Sequence, residues 1–82
     1  MLKITYMAKL KEQLATSEET IVWEGGNADA LIALLRSRGA PWDTALSPEK
    51  IYKIALNQSI VHNNVFIPAD AEVAFLPPVT GG

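Results

Sequence analysis

Leu2, Ile4, Tyr6 and Ala8 alternate with Lys3, Thr5, Met7 and Lys9. Extended backbone sends alternate side chains to opposite faces, so this period of two predicts a strand over 2–8. Between Lys9 and Ala15 the pattern changes, with Leu10 and Leu14 four apart, which suits one or two helical turns or a loop. Thr20-Ile21-Val22-Trp23 is β-branched and aromatic and predicts a strand over 19–24, ended by Gly25-Gly26. Ala28, Leu31, Ile32 and Leu35 then fall at the i, i+3, i+4, i+7 spacing of one helix face. Asn27 is a good N-cap for that helix. Asp29 in its first turn and Arg36 and Arg38 in its last complement the helix dipole, while Gly39 and Pro41 stop it. The expected helix is 28–38.

Residues 40–50 read as a loop. Tyr52, Ile54 and Leu56 alternate with Lys53 and Ala55, predicting a strand over 51–56. Ile60-Val61-His62 reads as a short strand ended by Asn63-Asn64, and Glu72-Val73-Ala74-Phe75-Leu76 as the last one. The order β-β-α-β-β-β, with one main helix, predicts an α+β two-layer domain. It suits a β-grasp (ubiquitin-like) roll: a mixed sheet of about five strands, the first and last central and parallel, with one helix on one face. The expected division is a domain over 1–76 and an extended tail over 77–82.

Composition narrows the chemistry. The chain has 82 residues, 49% of them hydrophobic, enough for one small core. Its longest apolar run, Ala30 to Leu35, is far short of the ~20 residues of a membrane-spanning helix. Seven basic residues against nine acidic ones give a net charge of −2, so neither nucleic acid nor a membrane surface is an expected partner. With no cysteine and one histidine, His62, thiolate catalysis, disulfides, iron–sulfur clusters and a multi-histidine metal site drop out, and no metal is expected. Met1 to Tyr6 lacks a basic region followed by an apolar one, so the expected location is cytoplasmic. No acid–base pair or activated nucleophile stands out. His62 reads as a solvated residue, and Trp23 and Trp42 as packing residues.

The final residues are unusual: Pro77-Pro78-Val79-Thr80-Gly81-Gly82. Two prolines fix φ and favour an extended course, and without N–H donors they end the strand before them. Six extended residues reach about 20 Å. Gly81 and Gly82 carry no side chain and can thread a narrow channel. A carboxylate at the end of such an arm is a poor electrophile. Adenylation by ATP would give it a leaving group, and a sulfur donor could then displace AMP to leave a thiocarboxylate.

The stretch Glu72-Val73-Ala74-Phe75-Leu76-Pro77-Pro78-Val79-Thr80-Gly81-Gly82 resembles the C-terminus of the small, sulfur-carrier subunit of molybdopterin synthase. Tyr6-Met7-Ala8-Lys9-Leu10-Lys11-Glu12 resembles that family's aromatic-Ala-x-hydrophobic-Arg-Glu start, and Ala55-Leu56-Asn57-Gln58 its Val-Asn-Gln turn. The Pro-Pro leader separates it from ubiquitin and the thiamine-pathway carrier, which share the diglycine alone. The resemblance implies a subunit that is not a catalyst by itself. Gly82 would be the reacting terminus, adenylated by a ubiquitin-activating-like, ATP-dependent adenylyltransferase and then loaded by a sulfurtransferase system. Pro77, Pro78, Val79, Thr80 and Gly81 would enter the active site of the large, catalytic subunit within a heterotetramer. There sulfur passes to cyclic pyranopterin monophosphate to build the molybdopterin dithiolene. No tightly bound cofactor is implied. Phe75, Met7, Leu10 and Lys11 are the implied partner contacts. The chain departs from the family at Asp70-Ala71, where Gly-Asp is usual, and at Lys11, where Arg is usual. A carrier for thiazole synthesis or tRNA thiolation, or a plain β-grasp interaction module, are the alternatives.

Overall fold

The computed structural model describes residues 1–48, 52–62 and 64–77. Along the chain, β1 (Leu2–Tyr6) leads through Met7 into α1 (Ala8–Leu14), followed by β2 (Glu18–Ile21), β3 (Gly26–Asn27) and α2 (Ala28–Arg36). A short α3 (Trp42–Ala45) precedes β4 (Lys53–Leu56), β5 (Ser59–Val61), β6 (Phe66–Ile67) and β7 (Glu72–Leu76). Five strands form a mixed sheet in the order β2-β1-β7-β4-β5, and β3 pairs with β6 in a separate two-stranded ribbon. β1 and β7 are parallel, with Ile4 opposite Val73 and Tyr6 opposite Phe75. Their neighbours β2 and β4 are antiparallel to them. This is the expected β-grasp arrangement, with the first and last strands at the centre.

Strict alternation buries one face. Leu2, Ile4 and Tyr6 of β1 and Val73 and Phe75 of β7 are wholly or almost wholly out of water. Leu31 and Leu35 of α2 close over them in one core, joined by Leu10 and Leu14 of α1, Leu46 and Ile67. At about 25 cal/mol per Å² of apolar area, this shared burial is the main stabilising term. Asn27 caps α2 as its sequence foretold: its side-chain oxygen accepts from the Ala30 N–H at 2.8 Å. Asn64 reaches over to accept from the Asp29 N–H at 2.8 Å, so two otherwise unpaired donors of the first turn are satisfied.

Several boundaries differ from expectation. The first strand stops at Tyr6 rather than residue 8, because Met7 becomes the N-cap of α1 and Ala8 turns to a positive φ of 52°. The second strand is Glu18–Ile21, not 19–24: Ile21 pairs with Leu2, where β1 begins, and the ladder runs out of partner. Val22 is left exposed, while Trp23 turns to donate its indole N–H to the Ile67 carbonyl at 3.0 Å. The helix ends at Arg36, and Gly39 (φ +88°) completes the stop two residues beyond its C-cap Ser37. The expected loop over 40–50 contains α3, and β6 was not foreseen. The strand expected over 51–56 starts at Lys53, residue 51 lying outside the described residues. The turn before β7 does not require glycine: neither Asp70 nor Ala71 has a positive φ, Ala71 is buried, and its carbonyl accepts from the Lys3 N–H at 3.2 Å.

Candidate functional site

β7 leads to Pro77, and its place in the sheet determines how the chain is held up to that residue. The strand lies between β1 and β4, so both of its edges are bonded up to the last residues before Pro77. Lys53 of β4 stands opposite Leu76, and the Met7 N–H donates to the Phe75 carbonyl at 3.1 Å. Pro77 brings no N–H, so the ladder cannot be extended through it. The chain thus leaves the sheet from its middle rather than from a frayed edge.

On the inner side of this root lies an aromatic cluster. Phe75 stacks on Tyr6 with ring centres 5.7 Å apart and planes 14° from parallel. Tyr52 tilts against Phe75 at 5.8 Å, and Trp42 meets Tyr6 edge-on at 5.3 Å. Tyr6 is 1% exposed, so its hydroxyl needs an internal partner. It donates to Glu19 Oε2 at 2.6 Å. Arg38 grips the same carboxylate with two N–H groups, each at 2.9 Å, and lays its guanidinium over Trp42 at 4.4 Å from the ring centre. Burial, followed by the Glu19 hydrogen bond, pushes the Tyr6 phenol far above its usual range. Arg38's hydrogen bonds outweigh the desolvation of Glu19 and hold its carboxyl below the usual 4.5. Glu19 in turn raises the Arg38 guanidinium. The triad is therefore carboxylate, guanidinium and neutral phenol at neutral pH.

The outer face of the sheet is different. Thr5, Ala74, Ala55 and Ile60 form one row across β1, β7, β4 and β5 in the pairing register. Three of these four side chains are small, and they floor a shallow depression of about 200 Å³ that Lys3, Gln58 and Glu72 rim. Ile60 is 45% exposed, and Met7, following the outward positions Lys3 and Thr5, is 43% exposed. Leu76 and Pro77 are half-buried, and Lys9 and Lys11 are exposed on α1.

The structure therefore sorts the implied contact residues. Met7 and Lys11 present surface, but Phe75 is 0% exposed and Leu10 is buried, so the expectation that these two face a partner is corrected. The reason is the pleat: Phe75 shares parity with Val73 and is paired with Ile54 and Tyr6, all on the core side. Leu76, one residue on, points the other way, and with Ile60 it is an outward apolar residue that sequence reasoning missed. The parity of Val73 and Phe75 was the available signal. Pro78, Val79, Thr80, Gly81 and Gly82 lie outside the described residues. Among the described residues, no group of three metal-ligating side chains comes together, and no helix is long and apolar enough to cross a membrane.

A β-grasp body whose last central strand is followed in sequence by Pro-Pro-x-x-Gly-Gly defines the class. The chain belongs to the ThiS family, whose pattern matches residues 4–82. It is 30% identical over 82 residues to the molybdopterin synthase sulfur carrier subunit of Escherichia coli, with all of both chains covered. The protein of the same name from Haemophilus influenzae is 29% identical over 82 residues, again from end to end.

Proposed function

We propose that this chain is the sulfur-carrier subunit of a molybdopterin synthase, working through the carboxyl group of Gly82. The observation that carries the reading is the sequence Pro77-Pro78-Val79-Thr80-Gly81-Gly82 set directly after a central strand. Full-length similarity to two proteins named as such carriers supports it. The Gly82 carboxylate attacks the α-phosphorus of ATP on an adenylyltransferase, releasing pyrophosphate and leaving a glycyl adenylate. Hydrosulfide-level sulfur from the sulfurtransferase system attacks that carbonyl, forming the C–S bond as the C–O bond to AMP breaks, and loss of the proton leaves a thiocarboxylate. The large subunit receives the arm, and the sulfur passes to cyclic pyranopterin monophosphate. Two loaded carriers supply the two sulfurs of one dithiolene, and each leaves as a carboxylate after hydrolysis. In this scheme the body contributes no acid, base or nucleophile. It presents the arm and recognises partners.

Recognition is assigned to the outer sheet face beside the arm. Met7, Ile60 and Leu76 supply apolar contact around a floor of alanine and threonine that lets a partner approach closely. Lys3 and Lys53 stand on this face, with Glu72 between them at the rim and Lys9 and Lys11 exposed on α1, and these lysines suit carboxylates on a partner. The experiment is intact-mass analysis after incubation with the adenylyltransferase, ATP and a sulfur source. The expected result is a gain corresponding to one sulfur-for-oxygen exchange, abolished by deleting Gly82. An unchanged mass beside an active enzyme would overturn the reading. Restoration of molybdopterin synthesis in a strain without its own carrier separates this role from thiazole or tRNA carriers.

A further inference from the structure

Packing alone does not account for the hydroxyl of Tyr6. A phenylalanine would keep the stack on Phe75 and the edge contact with Trp42 without burying a polar atom, which is unfavourable when left unpaired. Instead the hydroxyl is tied at 2.6 Å to Glu19, and Glu19 is held by both arms of Arg38. Four elements meet here: β1 gives Tyr6, β2 gives Glu19, the turn after α2 gives Arg38 and α3 gives Trp42. What they immobilise is the ring on which Phe75 lies, two residues before Pro77.

We propose that Tyr6, fixed by Glu19 and Arg38, is a positioning residue for the arm: it sets the orientation of the Phe75–Pro77 root and so the direction in which the arm leaves. An arm whose root already points one way loses less conformational freedom on entering an enclosed site, so less of the binding free energy goes into ordering it. The kinetic part of this proposal rests on the carrier reading, whereas its structural part does not.

Tyr6→Phe tests both parts in the full-length chain. Backbone ¹⁵N relaxation should show a lower order parameter at the Leu76 amide. In the adenylyltransferase reaction, the KM for this chain should rise about 2- to 10-fold with kcat unchanged. Ile67→Val is the control. It removes one buried methylene at the two-stranded ribbon, so it should lower the melting temperature while leaving both Leu76 order and KM as in the parent. An unchanged Leu76 order parameter in Tyr6→Phe, or an equal loss in Ile67→Val, overturns the proposal. Lower order with unchanged KM removes the functional part. If the parent chain is never adenylated, the carrier reading fails, and relaxation alone decides the positioning of the root.

Discussion

Ala15 ends α1 in the left-handed region, at φ 53° and ψ 33°, with its N–H donated back to the carbonyls of Lys11 and Glu12. An L side chain there costs roughly 1–2 kcal/mol, which glycine avoids at the expense of a more disordered unfolded chain. Ala15→Gly should therefore raise the unfolding free energy by about 0.5–1 kcal/mol, read from the midpoint shift in urea at constant slope. Asn57 and Gln58 occupy positive φ as well, at 49° and 74°, and form the two-residue turn between β4 and β5. Asn57 eases its own case: its side-chain oxygen accepts from the Glu72 N–H at 3.0 Å and its backbone N–H donates to the Glu72 carbonyl at 2.8 Å. The turn thereby locks onto the start of the arm's own strand. Side-chain direction was the subtler matter at this scale. The sequence singles out Phe75 because it is aromatic, but the pleat decides which of Phe75 and Leu76 meets solvent.

Among elements, α2 was the most legible, because its apolar spacing, Asn27 cap and Gly39 stop all agree. Elements fixed by distant partners were the hardest to see. β2 ends where β1 has no more residues to offer, and β6 is two residues long, too short to show a period. The Glu19–Arg38 link was invisible for a related reason: it joins an edge strand to a residue past the end of a helix, 19 positions away. Its electrostatics give a pH signature. Glu19 has a folded pKa below its unfolded value, so the carboxylate's contribution is present above about pH 4.5 and is lost as pH falls through the folded pKa. The parent's unfolding free energy should decline on acidification from about pH 5 to pH 3. Glu19→Gln should be less stable at pH 7 and show a shallower decline, measured by urea denaturation at each pH. An identical slope in the two proteins would mean that the pair adds nothing to stability.

For the molecule as a whole, the two faces of the sheet divide the work. One is consumed by the core, and the other stays open with small side chains at its centre and Ile60, Met7 and Leu76 around them. Ile60→Lys separates folding from recognition, because lysine is well tolerated on an edge strand. Its stability should stay within about 1 kcal/mol of the parent, while affinity for the large subunit proposed as its partner falls about tenfold or more in titration calorimetry. The arrangement of β7 has a mechanical consequence too. Tension drawn through Pro77 with the body held runs lengthwise along a strand clasped on both sides. It loads the bonds to β1 and β4 together, in shear, instead of unzipping them singly. Force applied at Pro77 is therefore shared between both neighbouring strands before any single bond gives way.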